Sequence, residues 1–147
     1  MVMRYFGNKE DLFTLAASID LALPDLTTAP AGEVGRAMVG HFMKMWDSDG
    51  TLMALLRRAA TDPGAAEQMR SIFATQVAAA VAPVCPDPSQ APRRAALVAA
   101  QLIGIALGRY ILDLPPIIEM DADEIVDWIA PTVERYLTGP LPEPTST

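Results

Sequence analysis

The chain has 147 residues, 51% of them hydrophobic, 20% charged and 6% aromatic, a length suited to one domain and a balance that excludes both a disordered chain and an integral membrane protein. Its formal net charge of −7 excludes nucleic-acid binding by the body of the chain, leaving any such contact to the extreme N-terminus, where Arg4 and Lys9 precede the first acid, Glu10. A single cysteine, Cys85, excludes an internal disulfide and fits a reducing cytoplasm, and the opening residues lack the charged-then-apolar pattern of a secretory signal.

Leu, Ala, Met and Ile dominate, and no segment alternates apolar with polar residues over a strand's length. The expected fold class is therefore all-α, a bundle of about six helices. Asn8 caps a first helix with Glu10 and Asp11 in its opening turn; Leu12, Leu15, Ala16 and Ile19 follow at helical spacing, and Pro24 closes it. After a turn-rich connector over 27–32, a helix runs from Glu33 to about Asp47, with Val34, Met38, Phe42 and Met45 on one stripe. Asp47-Ser48-Asp49-Gly50 breaks it, and a short helix with Leu52, Leu55, Leu56 and Ala59 follows. Asp62-Pro63 is an N-cap with proline at the first helical position, and Met69, Ile72, Phe73, Gln76, Val77 and Ala80 trace one face behind it. Pro83, Pro86, Pro88 and Pro92 end that helix, and the chain then enters its most apolar stretch, over 93–112. Pro115-Pro116 marks a loop. Asp121-Ala122-Asp123-Glu124 opens the last helix, whose stripe is Ile125, Ile129, Val133, Tyr136 and Leu137, with a kink expected at Pro131. The tail over 139–147, rich in Pro, Ser and Thr, is expected to be disordered.

Between Arg94 and Arg109 the only polar side chain is Gln101. A helix on the outside of a small bundle carries a polar face, so this one is expected to be buried on two sides. A second chain is one source of the second side, and the centre of a monomer's own core is the other. Ala96, Ala100, Gly104 and Gly108, spaced by four, form a small-residue ridge that permits close helix contact. A membrane span needs about 20 apolar residues, and this run is shorter.

Signals for catalysis are poor. His41 and the distant Cys85 cannot build a metal cluster. Asp47 to Gly50 resembles part of a calcium loop, but Arg58 stands where the loop needs a glutamate. The acids from Asp121 to Asp127 suit a helix start without any metal. No enzyme, metal site or cofactor is expected. The methionines allow two readings, core filler or an adaptable apolar pocket. The pocket reading places Met38, His41, Phe42, Met45, Trp46, Met53, Arg57, Met69, Phe73 and Gln76 around a small apolar effector, with His41, Trp46, Arg57 and Gln76 supplying polar contacts.

The stretch Arg4-Tyr5-Phe6-Gly7-Asn8-Lys9-Glu10-Asp11-Leu12-Phe13 resembles the most recognisable segment of the TetR family of transcriptional regulators. There an aromatic pair ends the recognition helix of a helix-turn-helix, a glycine-containing turn follows, and Lys-Glu-(Asp/Glu)-Leu opens the fourth helix. The later helices and the exit Thr138-Gly139-Pro140-Leu141 are also similar to that family's regulatory domain. The resemblance implies a ligand-responsive repressor in which an effector tilts the fourth helix and the two heads lose their operator spacing. It implies a homodimer through the last two helices, with Ala96, Ala100, Gly104, Gly108, Ile125, Ile129 and Val133 at the interface. It also places Arg4, Tyr5 and Lys9 beside the DNA backbone, where a helix N-terminus and an ammonium make an anion site. Residues 1–8 then correspond to the end of the DNA-binding head and 9–138 to the ligand-binding and dimerisation domain. Because the family's head places two helices and most of a third before this point, operator binding is expected only of a fuller form. The alternative is a headless small-molecule sensor or a dominant-negative dimerisation partner.

Overall fold

A computed structural model describes residues 19–48 and 50–145. The helix expected from Asn8 to Pro24 therefore lies mostly outside the described residues, and the part of it that is described, from Ile19 to Leu23, is not helical: Ala22 has φ 49°, which a right-handed helix does not admit. Among the described residues all regular structure is helical, in six rods. These are α1 (Val34–Ser48), α2 (Gly50–Ala59), α3 (63–81), α4 (91–111), α5 (Pro115–Glu119) and α6 (Ala122–Thr138). Short 3-10 turns at Leu26–Thr28 and Pro88–Gln90 punctuate the connectors.

The helix starts follow from local capping. The Asp62 carboxylate accepts from the Gly64 amide ahead of Pro63, and Asp121 accepts from the amide of Glu124, so each cap satisfies an amide that the helix leaves without a partner. These bonds also act on the acids: the Gly64 amide holds the Asp62 carboxyl below the usual carboxylate range. The Pro115-Pro116 pair, expected in a loop, instead opens the short helix α5. Proline's fixed φ suits the first helical positions, where its missing N–H has no partner to lose.

In α1 the buried residues Val34, Gly35, Met38, Val39, Phe42, Met43 and Trp46 recur at helical spacing. They pack chiefly against α6, whose buried stripe is Ile125, Val126, Ala130, Val133 and Leu137. Helix α4 lies between α6 and α3 and buries Ala91, Ala95, Val98, Leu102 and Ala106. Arg94 is buried on the same face; its guanidinium donates to Gln90 Oε1 at 3.0 Å and to the Tyr136 carbonyl at 2.9 Å, at the negative end of α6. The segment Pro88–Ile111 is long and apolar enough to cross a membrane by length and composition alone, a property that core helices share. Its buried residues face the chain's own helices, and that packing accounts for one apolar side.

Two helices change pitch midway. Phe73–Val77 within α3 and Leu107–Ile111 at the end of α4 are wide turns, bonded from each carbonyl to the amide five residues on. Such insertions rotate the following side chains relative to a regular helix.

Candidate functional site

Helices α1, α2, α3 and α4 enclose a cavity of about 350 Å³. Phe42 and Trp46 come to it from α1, and Leu52 and Leu56 from α2. Helix α3 supplies Met69, Ile72, Phe73 and Val77, the last two from its wide turn. The fourth wall is α4, where Ala96, Ala99 and Ala100 leave the space that longer side chains would fill. Leu21, from the extended segment before α1, closes one side. Ala96 and Ala100 are themselves exposed, so the cavity opens to solvent along α4.

The residues expected at a pocket divide into two groups. Phe42, Trp46, Met69 and Phe73 line the cavity. Met38 and Met53 are buried in the core, Met45 is half-buried against it, and none of the three borders the space. The polar candidates brace the wall instead of facing the interior. Gln76 Nε2 donates to the Ile19 carbonyl and its Oε1 accepts from the Leu21 amide, both at 2.8 Å. His41 Nε2 donates to the Leu21 carbonyl at 2.6 Å. Together they clamp the segment that carries Leu21 to the cavity. Arg57 donates to the Tyr110 carbonyl at 3.2 Å, on the outside.

An aromatic run crosses the site. His41 meets Phe42 edge-on, Phe42 meets Trp46 at 5.7 Å between centroids, and Trp46 meets Tyr110 at 6.4 Å. Tyr110 sits in the wide turn ending α4, and its hydroxyl donates to the Asp47 carboxylate at the end of α1. Burial and that carboxylate push the Tyr110 phenol up to about 12. The run thus links the clamped segment, the cavity wall and the end of α4 by direct contact. The acid once compared with a calcium-loop ligand, Asp47, is therefore a hydrogen-bond acceptor for Tyr110. Cys85 is buried, its thiol donating to the Asp87 carbonyl at 3.2 Å.

The surface residues fall differently from the interface drawn on the sequence. Ile125 and Val133 are 1% and 0% exposed, in the chain's own core between α6 and its neighbours, so neither is free to meet a second chain. Gly108 is covered as well: α5 folds back over it, the Leu114 amide donates to its carbonyl at 2.9 Å, and a Cβ there would touch Leu114. Ala96 and Ala100 border the cavity, Ile129 is half-buried, and Gly104 faces open space. The outer face of α6 is marked instead by Trp128, 67% exposed. Among the described residues, the exposed large apolar side chains are Leu97, Leu107, Leu112, Leu114, Ile118 and Trp128, with Leu141 in the tail. All lie on α4, its exit, α5, α6 or beyond. The DNA-backbone candidates Arg4, Tyr5 and Lys9 lie outside the described residues.

Neither the comparison with curated proteins nor that with solved structures found a match. The sequence model of a family described as tetracyclin repressor-like, C-terminal domain, matches residues 32–137. That match runs from the turn before α1 to the last turn of α6 and takes in the cavity's four helices. The chain belongs to the family of tetracycline repressor-like C-terminal domains.

Proposed function

We propose that residues 9–138 form the effector-sensing and dimerising part of a ligand-responsive transcriptional repressor, with 1–8 as the end of its DNA-binding head. The observation that carries this reading is the apolar cavity inside a tetracycline repressor-like domain. Its volume falls within the range of small-molecule sites. The effector's route to the N-terminal residues is the segment Ile19–Leu21, which Leu21 brings to the cavity wall and which His41 and Gln76 hold. An effector that prefers one position of that segment shifts the balance between DNA-competent and released forms. The exposed apolar side chains of α4 and α6 support a homodimer through those helices. In a form carrying a complete helix-turn-helix, Arg4, Tyr5 and Lys9 would lie along the operator backbone, adding affinity without reading sequence.

The test uses such a fuller form, its operator and an effector found by thermal-shift screening. Ala100→Trp fills the cavity from α4; it is expected to abolish effector-induced release while operator binding persists. Release that survives Ala100→Trp unchanged would place the effector elsewhere.

A further inference from the structure

The cavity wall is apolar with one exception. Of the residues that line it, only Arg70, on α3 beside Met69, carries a charge. Its guanidinium is paired with Glu67, one turn earlier, but through a single carboxylate oxygen: Nε and Nη2 reach Glu67 Oε2 at 3.0 and 2.6 Å. A guanidinium has five N–H donors, so the edge bearing Nη1 keeps donors that no other described residue takes up. Glu67 itself does not line the cavity. The charged group in the lining is therefore a guanidinium, and the carboxylate paired with it lies outside the lining.

Arg70's side chain is 66% exposed although it belongs to the lining, so it stands where the cavity meets solvent, a position that suits an apolar stem with a charged head. That arrangement suits an amphiphile. A carboxylate at the mouth keeps part of its hydration, and only the apolar remainder enters the cavity. The exposed pair with Glu67 is weak and readily shared with a second anion.

We propose that the cavity takes a small apolar monocarboxylate, tail first, with its carboxylate held at the mouth by the free N–H edge of Arg70. This rests on the cavity being the effector site. Calorimetric titration of the intact chain with decanoate, decanol and decyltrimethylammonium, all below micelle formation, separates the two ideas. Decanoate is expected to bind about tenfold tighter than decanol, the scale of one charge-assisted hydrogen-bonding pair at a solvated site. Added salt should erode that advantage and leave decanol unaffected. Arg70→Met, which keeps the apolar stem, should lower decanoate to the level of decanol without changing decanol. Equal binding of decanoate and decanol, equal losses for both in Arg70→Met, or preference for the cation would overturn the carboxylate assignment while leaving the cavity as a binding site. Binding by none of the three would overturn both.

Discussion

Gly35 in α1 and Glu134 in α6 meet backbone to backbone: a Cβ built on Gly35 would stand 2.5 Å from the Glu134 amide nitrogen and 2.9 Å from its Cα. The Gly35 amide also donates to the Glu134 carboxylate at 2.9 Å. The most extensive helix contact among the described residues is thus set by a residue with no side chain, and that close approach brings the buried stripe of α1 against that of α6.

Gly35→Ala tests this directly. The obstructing atoms include the Ala130 carbonyl oxygen, also at 2.5 Å, and backbone cannot rotate aside as a long side chain does. Overpacking of this kind costs about 1–3 kcal/mol, against which alanine's better helix propensity returns about 1 kcal/mol. Net destabilisation in urea unfolding, with the slope unchanged, is the expected outcome. A variant as stable as the parent would mean that α1 and α6 are not in contact here.

What could be read in advance was what local chemistry decides. Asp62-Pro63 and Asp121 declared their helices because a cap is satisfied within three residues. The stripe of α1 was visible because its period is that of the helix. The wide turns at Phe73–Val77 and Leu107–Ile111 have no such marker, yet the first of them carries Phe73 and Val77 of α3 to the cavity. Small residues were ambiguous: Ala96 and Ala100 looked like a place for a neighbouring helix, but a missing side chain makes room equally well for a cavity. Polar residues misled in the same way. Gln76 and His41 were expected to face an occupant, whereas backbone groups of a non-helical segment compete for the same donors and acceptors. Ile125 and Val133 form the apolar stripe of α6, and a stripe alone does not say whether the covering surface belongs to the same chain.

Gln76→Leu should release the segment before α1. The substitution leaves the Ile19 carbonyl and Leu21 amide without their partner, and an unsatisfied, partly buried group costs about 1–3 kcal/mol. The loss is local. Hydrogen exchange at Leu21 should accelerate, while amides in α1 and α6 keep their protection. Unchanged exchange at Leu21 would show that the clamp does not hold the segment.

Tyr110 should make the fold sensitive to alkali. Its phenol is raised from 10.0 to about 12 in the folded chain, first by burial and then by Asp47. The folded state therefore holds the proton more tightly than the unfolded state. The resulting stability is fully present below pH 10 and is lost as pH rises towards about 12. The difference in unfolding free energy between the parent and Tyr110→Phe should be constant up to pH 10 and shrink above it. A difference that stays flat through that window would remove Asp47 and burial as the cause.

The association of two copies is tested best at Gly104 and Trp128. A Cβ on Gly104 meets nothing within 4 Å in the chain itself, so Gly104→Leu strains no internal contact. In the isolated protomer it should be neutral or slightly stabilising, since leucine exceeds glycine in helix propensity by about 0.8 kcal/mol. Against a closely packed second helix the same side chain overpacks, at about 1–3 kcal/mol, which is roughly a 5- to 150-fold rise in the dissociation constant. Trp128→Glu places a charge on the exposed face of α6 and should have the same direction of effect, because a desolvated carboxylate without a partner opposes association. Sedimentation velocity at micromolar concentration should show a dimer for the parent, with both substitutions moving it towards monomer while the helical circular dichroism is retained. A parent chain that sediments as a monomer would refute the interface. A dimer indifferent to both changes would move it away from the faces that carry Gly104 and Trp128.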